Sequence, residues 1–423
     1  MADDLSGAAD CGIACAASGL QTTVLLDWRH GHQIGADAIA VDADSRRMNP
    51  ASAAAITEQI VREHVRGPRQ LLYKKLDSTL RGNVGAELAA ALNAFRDLRA
   101  ARAGGFRGVA VVAPAFPKSG RTTVAGRQFL NGTPLEETEI WRREGMSGRA
   151  YLSEILRSSG MHAELVALDI VRSGPELLCS KMTELRKSAD ALVCDAETDE
   201  DLYSIATASV SLGPDIMWSG SAGLAHHLPQ AAGITGAGCA ILDYQAPVIG
   251  PILFVVGSLS SVSQQQVKTL ACDVRSVCVS PGVLRAGRES PEWCVHEREI
   301  RESMKSGNDV VVHLDREANV DLAQGRLLSR ALAKLVAPCA NEAGGLVLTG
   351  GETAREVLDA LGVTRLRLVG ELEPGLPFSV TDGWKRKLPV FTKAGDFGHS
   401  QSLVHCRQSL RQLDPNRTSA NVP

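Results

Sequence analysis

The sequence predicts an α/β protein of two domains with mostly parallel sheets and an active site in the cleft between the domains. Its 423 residues exceed what one hydrophobic core usually serves. Short β-branched runs alternate with longer amphipathic stretches, the pattern of βαβ units. A Gly-, Ala- and Pro-rich stretch over 231–251 interrupts that alternation, and such composition marks an interdomain connection. The boundaries that follow are 1–235 for an N-terminal domain and 250–412 for a C-terminal domain.

In the first half, periodicity predicts strands at 22–26, 70–75, 108–113, 191–194 and 215–218, and helices at 8–19, 51–65, 85–95, 151–158 and from 222 onward. In the second half it predicts strands near 252–256, 309–314, 345–348 and 365–369, and helices near 262–271, 322–336 and 353–361. An acidic turn, Ala2-Asp3-Asp4-Leu5-Ser6-Gly7, begins where an α/β domain ordinarily lays down its first buried strand, so either that strand is short or the sequence begins partway through it. The last dozen residues are polar and are expected to fray.

Composition removes several function classes. With 44% hydrophobic residues, 22% charged and no apolar run of membrane-spanning length, the chain reads as a globular protein without a membrane partner. Lys plus Arg (45) nearly balance Asp plus Glu (48), so the basic excess that a nucleic-acid partner requires is absent. The 10 Cys are scattered, which fits reduced thiols in a cytoplasmic protein better than a disulfide or zinc framework. No secretory leader is expected, and the oligomeric state is open, a homodimer being one option.

One device recurs: an apolar strand, a tight Gly/Ser/Thr turn, then a helix. It occurs at 217–225, 255–262 and 347–354. In an open parallel sheet such turns lie at the carboxyl ends of strands, where ligands bind. Glycine lets the backbone approach a phosphate, and the free amides of the next helix point at it, although tight βα turns also need glycine for purely structural reasons.

The densest chemistry lies in Lys74-Lys75-Leu76-Asp77-Ser78-Thr79-Leu80-Arg81-Gly82. Strand alternation puts Lys75 and Asp77 on one side, with Arg81 able to swing over both. Arg offers a planar fork to a carboxylate, and Asp accepts from sugar hydroxyls or acts as general base. The adjacent carboxylates of Asp3 and Asp4 suit substrate hydroxyls or Mg²⁺, with helix capping by Asp4 or Ser6 as the plainer role. Lys118 and Arg121 sit in a Pro/Gly loop that suits an anion or simply solvent, and Lys393-Ala-Gly-Asp-Phe-Gly398 forms a further glycine loop. A Gly-x-x-x-x-Gly-Lys-Ser/Thr loop and a Gly-x-Gly-x-x-Gly loop are both absent, which excludes P-loop and protein-kinase sites. No His-x-x-x-His pair stands for zinc.

Taken in order, these segments resemble the four-carbon acid sugar kinase family. The resemblance rests on Ala2–Ala8 (Ser6 for the usual Thr), Lys75–Gly82, Pro114–Pro117, Gly120–Thr123, Asn131–Leu135, Gly220–Ala225, Gly257–Ser260, Thr349–Ala354, Gly370–Pro377 and Lys393–Gly398. It implies a sugar-acid-binding N-terminal domain, an ATP-binding C-terminal domain, and phosphorylation of the terminal hydroxyl of threonate, erythronate or 3-oxotetronate. Carried over residue by residue, it implies substrate contacts at Asp3, Lys75 and Ser78 and catalytic roles for Asp4, Asp77 and Arg81. Nucleotide contacts would fall on Ser258, Gly350, Gly351, Glu352, Thr353 and Gly395, with Mg²⁺ accompanying ATP and its ligands left open. Asp396 stands where the family commonly has Gly or Asn, so its carboxylate has to turn outward. Two rival classes are a non-catalytic regulatory protein that binds sugar acid and nucleotide, and an Mg²⁺-dependent phosphatase using Asp3 and Asp4; the second leaves an entire glycine-loop domain unused.

Overall fold

A computed structural model describes residues 1–30, 35–67, 70–100, 108–237, 248–315 and 324–413. Residues 414–423 of the polar tail and 238–247 of the 231–251 connector lie outside the described residues. The chain folds as two compact units, one holding residues 1–20 and 40–236, the other 21–30, 35–39 and the described residues from 237 on. No described helix is long and apolar enough to cross a membrane.

The chain opens on α1 (Leu5–Ala17), continues through β1 (Thr22–Leu25), β2 (Ala38–Val41), α2 (Pro50–His64), β3 (Tyr73–Lys75), α3 (Val84–Ala100) and β4 (Val109–Ala113), and then forms the short strands β5 (Arg121–Val124), β6 (Arg127–Leu130) and β7 (Thr133–Pro134). There follow α4 (Glu139–Arg143), α5 (Leu152–Ser158), β8 (Ala163–Val166), α6 (Leu168–Val171), α7 (Pro175–Leu185), β9 (Ala191–Cys194), α8 (Asp199–Ser211), β10 (Ile216–Gly220) and α9 (Ala222–Ala231). The sheet of the first unit runs β3-β10-β4-β9-β8, every pairing parallel. Its core strand shows why: Val109, Val111 and Ala113 enter the cluster on one face, while Ala110 and Val112 enter the other. Both faces are buried, as a parallel strand requires.

The strand expected ahead of the acidic turn is reduced to Met1 and Ala2. Met1 O accepts from Lys75 N at 2.8 Å, Ala2 N donates to Val41 O at 2.8 Å, and Ala43 N donates to Ala2 O at 2.9 Å. Two residues thus place Asp3 and Asp4 at the same level as the ends of β2 and β3.

The second unit contains β11 (Ile252–Val256), α10 (Ser261–Leu270), β12 (Arg275–Val279), α11 (Pro281–Ala286), α12 (Pro291–Lys305), β13 (Val310–Leu314), α13 (Gly325–Ala340) and β14 (Gly345–Thr349), then α14 (Gly351–Ala360), β15 (Arg365–Glu371), β16 (Pro377–Asp382), β17 (Pro389–Lys393) and α15 (Ser402–Gln412). The sheet order is β12-β13-β11-β14-β17-β16-β15-β1-β2, parallel from β12 through β17. Strand β1, although it follows the first helix in sequence, pairs antiparallel with β15, Thr22 opposite Leu368. After β11 the chain moves to β12 on one side, and after β14 the sheet grows through β17 on the other. Helices α10 and α15 cover the face of Ile252, Phe254 and Val256, whereas α14 packs on α13. The turns after β11 and β14 therefore flank a topological switch point, where open parallel sheets bind ligands.

One buried pair fixes the first unit near β3. Lys74 Nζ lies 2.7 Å from Glu87 Oε2 with both side chains almost fully buried, and Ser45 Oγ donates to Glu87 Oε1 at 2.6 Å. Removing one partner of such a pair leaves an uncompensated buried charge and costs about 3–5 kcal/mol, whereas replacing both with apolar groups is often near neutral. Glu87→Ala is expected to lose about that much in urea unfolding and Lys74→Met/Glu87→Leu to recover most of it; equal stabilities for wild type and Glu87→Ala would refute this role.

Candidate active site

In the first unit, three chain segments end side by side: Ala2, the Ala40–Val41 end of β2, and β3. Asp3 and Asp4 follow the first, Arg46 the second, and Asp77 the third. The 42–46 turn wraps the acidic turn, since Ser45 N and Arg46 N both donate to Asp3 O, at 3.0 and 3.2 Å. Asp44 takes a positive φ of 47° there, with its N–H donating to Asp42 Oδ1 at 2.9 Å.

Arg46 is the centre of the cluster. Its Nε and Nη2 donate to the two oxygens of Asp3 at 2.7 and 3.0 Å, and Nη1 donates to Asp4 Oδ2 at 2.7 Å. Its Nη2 also lies 3.7 Å from Asp77 Oδ1. Asp77 in turn receives the fork of Arg81, Nε at 2.8 Å and Nη2 at 2.9 Å, and the hydroxyl of Thr79. Leu80 pays the geometric cost of this tight turn with a φ of 57°, a conformation that costs non-glycine residues of order 1 kcal/mol and clusters at functional sites. Glu144 stands at the rim, its Oε1 3.9 Å from Arg81 Nη1.

Lys75 completes the set. It is 6% exposed, yet among the described residues nothing accepts a hydrogen bond from its Nζ. Burial alone would lower its pKa, but Asp77, Asp4 and Asp3 outweigh burial and raise it, so the ammonium is retained at neutral pH. Gly7 makes room for it: a Cβ there would lie 2.8 Å from Asp4 Oδ1 and 2.9 Å from Lys75 Nζ. Asp4 meanwhile caps α1, its Oδ1 accepting from Gly7 N at 2.9 Å. Ser78 sits in the turn after β3, with its carbonyl accepting from Gln128 Nε2 at 2.9 Å.

The sequence-predicted residues Asp3, Asp4, Lys75, Asp77 and Arg81 are thus brought together, and the structure adds Arg46. The signal for Arg46 was a short apolar run, Ala38–Val41, followed by a turn with two arginines. Lys118 and Arg121 are engaged locally, Lys118 with Asp199 at 2.7 Å and Arg121 with the Ser119 carbonyl at 2.5 Å.

The acidic turn does not fit Mg²⁺ in this arrangement. Both Asp3 oxygens and one Asp4 oxygen are bound to a guanidinium, and the other Asp4 oxygen caps a helix, whereas Mg²⁺ needs free carboxylate oxygens in an octahedral set. Among the described residues, the His, Cys, Asp and Glu group close enough to share an ion is Glu373, His399 and His405, with donor atoms within 4.8 Å of one another. Its two imidazoles suit a transition metal rather than Mg²⁺.

In the second unit, three adjacent parallel strands end in glycine turns: Gly257–Ser260 after β11, Gly350–Thr353 after β14, and Ala394–Gly398 after β17. Register aligns their tips, Val256 with Thr349 and Thr349 with Lys393. Gly350 has a φ of 97° and precedes α14, whose first residues are Gly351, Glu352 and Thr353. Thr353 is buried, and its hydroxyl pairs with Ser329 Oγ at 3.1 Å. Gly395 is required by close approach, because a Cβ would overlap Ser258 Oγ. Ser260 Oγ donates to Gly395 O at 2.8 Å and caps α10 through Ser263 N. Asp396 is exposed, turned outward as its charge demands.

The profile of a sugar-binding N-terminal domain matches residues 1–228 and that of a nucleotide-binding C-terminal domain matches 253–403. A D-threonate kinase of Cupriavidus necator is 41% identical, the alignment covering 97% of each chain. The chain belongs to the four-carbon acid sugar kinase family. It is accordingly a sugar-acid phosphotransferase. A 3-oxo-tetronate kinase of the same organism is 29% identical over 98% of this chain and 96% of its own. The solved structure of a Salmonella typhimurium protein shares the fold at a TM-score of 0.80 and 21% identity, covering 96% of this chain and 98% of that one.

Burial would raise the Asp77 pKa, but Arg81 and then Arg46 outweigh it and hold the carboxyl well below its ordinary value of 3.8. A depressed carboxyl adds stability that is complete above the unfolded-state value and lost as pH falls through the folded-state one. Urea midpoints measured from pH 7 downward are therefore expected to hold to about pH 4 and then to fall more steeply for wild type than for Asp77→Asn; parallel curves would remove Asp77 as an ionised anchor.

Proposed function

We propose that this kinase transfers the γ-phosphoryl group of ATP to the terminal 4-hydroxyl of a four-carbon sugar acid, with D-threonate as preferred acceptor. The observation that carries the reading is the chemical contrast between two sets of strand tips. The first unit presents Lys75, Arg81 and carboxylates, a lining for a small acid bearing hydroxyls. The second presents glycine amides and serine hydroxyls at a switch point, a lining for a polyphosphate. The 41% identity to a D-threonate kinase, against 29% to a 3-oxo-tetronate kinase, supports threonate among the candidate acids.

In this reading Lys75, whose ammonium has no acceptor among the described residues, takes an oxygen of the acid, and Arg81, fixed by Asp77, adds charge beside it. Asp3 holds Arg46 in place, and Ser78 lies in the turn that lines the acid. Of the two carboxylates nominated as base, Asp4 is the better placed: its side chain is 21% exposed against 8% for Asp77, and Asp77 is closed off by the Arg81 fork. A weakly basic carboxylate suffices, because the transition state of phosphoryl transfer is loose and catalysis is mostly positioning and charge stabilisation. The phosphates would lie against the amides of Gly350, Gly351, Glu352, Thr353 and Gly395 and the hydroxyl of Ser258. Mg²⁺ accompanying ATP would neutralise its β- and γ-oxygens. The acceptor hydroxyl and the γ-phosphate then have to come within reach of each other during turnover.

A coupled ADP assay with Mg²⁺, ATP and a panel of D-threonate, D-erythronate and 3-oxotetronate tests this. The expectation is turnover with D-threonate at the highest kcat/KM; a faster erythronate reaction would overturn the acceptor, and ADP formation with none of the three would overturn the reaction. Lys75→Met is expected to lower kcat/KM for the acid by about 10- to 150-fold, the worth of a charge-assisted hydrogen bond, while leaving KM for ATP unchanged. A variant that changed both alike would deny Lys75 an acid-specific role.

A further inference from the structure

We propose that Lys393 is the positioning residue of the nucleotide site: its ammonium draws the carbonyls of the Ala394–Phe397 loop inward and thereby turns the Gly395 and Asp396 amides out as a phosphate nest. The inference rests on the nucleotide reading given above.

Lys393 is 2% exposed, and among the described residues it has no carboxylate partner. Its Nζ donates instead to three backbone carbonyls, Ala394 O at 2.9 Å, Gly395 O at 3.2 Å and Phe397 O at 3.0 Å. Gly395 O also accepts from Ser260 Oγ at 2.8 Å and Ser263 Oγ at 2.7 Å. In a planar trans peptide the C=O and the following N–H point in opposite directions. Since the carbonyls of residues 394 and 395 both face Lys393, the N–H groups of Gly395 and Asp396 both face away from it. Neither N–H has a hydrogen-bond acceptor among the described residues. Successive amides on one side of a turn form an anion-binding concavity, and this one adjoins Ser258, whose hydroxyl packs on Gly395.

A buried ammonium held only by carbonyls is a conditional clamp. Burial lowers the Lys393 pKa to about 8, with Cys406 on α15 and Asp396 on the loop itself opposing weakly. Helix α10 offers it only neutral groups: Ser260 and Ser263 share its carbonyl, and Gln266 Nε2 donates to Phe397 O at 3.1 Å. Beyond Phe397, Glu373 is occupied by His405 at 2.5 Å, His399 at 3.4 Å and Ser402 at 2.7 Å. Loss of the proton leaves two donors for three carbonyls and removes the positive charge behind the nest. Nucleotide binding favours the protonated form, so affinity is full below the pKa and declines as pH rises through it.

Calorimetric titration of the full chain with ATP between pH 7 and 9.5, together with steady-state KM values for both substrates, tests this. Wild type is expected to lose about tenfold in ATP affinity across the range, half of the change falling near pH 8, with KM for the sugar acid steady. Lys393→Met is expected to bind ATP about tenfold more weakly at pH 7 and to show no pH dependence of its own in this window. ATP binding that is flat with pH in wild type, or equally tight in Lys393→Met, overturns the role of Lys393 while leaving the nucleotide site standing. No ATP binding by wild type at any pH overturns the nucleotide reading and this inference together. Should Lys393→Met fail to fold, the wild-type profile decides alone.

Discussion

Everything in the first unit's site depends on the guanidinium of Arg46. Asp3 and Asp4 are neighbours in sequence and Asp77 is a third carboxylate close by, so without a central cation three negative charges would crowd a largely buried volume. Burying ions costs several kcal/mol each unless geometry and hydrogen bonds return it. Arg46 meets the requirement with one fork on Asp3, one N–H on Asp4 and a longer approach to Asp77. Arg81 and Lys75 then alternate with the carboxylates, so that each charge faces one of opposite sign. The cluster is consequently set before a ligand arrives, and among the described residues no acceptor meets the ammonium of Lys75.

The second unit solves the opposite problem with the opposite means. In the proposed reading its turns receive a polyphosphate, and what they offer it is glycine amides and serine hydroxyls, with the carboxylate of Asp396 exposed. Neutral dipoles fixed by a sheet do not have to be desolvated as ions do, and they require no reorganisation when charge develops. The positive charge is set one layer behind, on Lys393, where it acts through the carbonyls it orients. Cation-lined tips in one unit and dipole-lined tips in the other, proposed to take an acid and a polyphosphate, thus come from the same architectural element, the carboxyl end of a parallel strand.

How far the sequence revealed this follows the distance between partners. Lys75, Asp77 and Arg81 lie within seven residues, and strand alternation alone put the first two on one side. The same alternation separates Lys74 from Lys75: Lys74 faces Glu87 and serves packing, although the two lysines look identical in the chain. Arg46 escaped notice because its strand, Ala38–Val41, is only four residues long and its partners are more than 30 residues away on both sides. Strand β1 was placed with the first half because nothing local announces that Thr22 will pair with Leu368. Boundaries moved for local reasons too: α1 begins at Leu5 rather than at residue 8 because Asp4 caps it. The glycine turns of the second unit were legible as turns, whereas the inward carbonyls of residues 394, 395 and 397 became visible only with coordinates.

The arrangement also explains why acid–base chemistry was the hardest role to read. A sequence shows that carboxylates exist, not which are already spent, and here Asp77 and Asp3 are committed to guanidinium forks that hold their pKa values down. Such groups are excellent anchors and poor bases, since basicity falls with the same interactions that fix them. A kinase tolerates this because a loose transition state asks for little proton abstraction before the phosphoryl group has moved. A hydrolase or an enolising enzyme built on the same turn would need one carboxylate released from its arginine. What counts against the rival phosphatase chemistry is the engagement of Asp3 and Asp4 themselves, whose oxygens are taken by Arg46 and by the cap of α1.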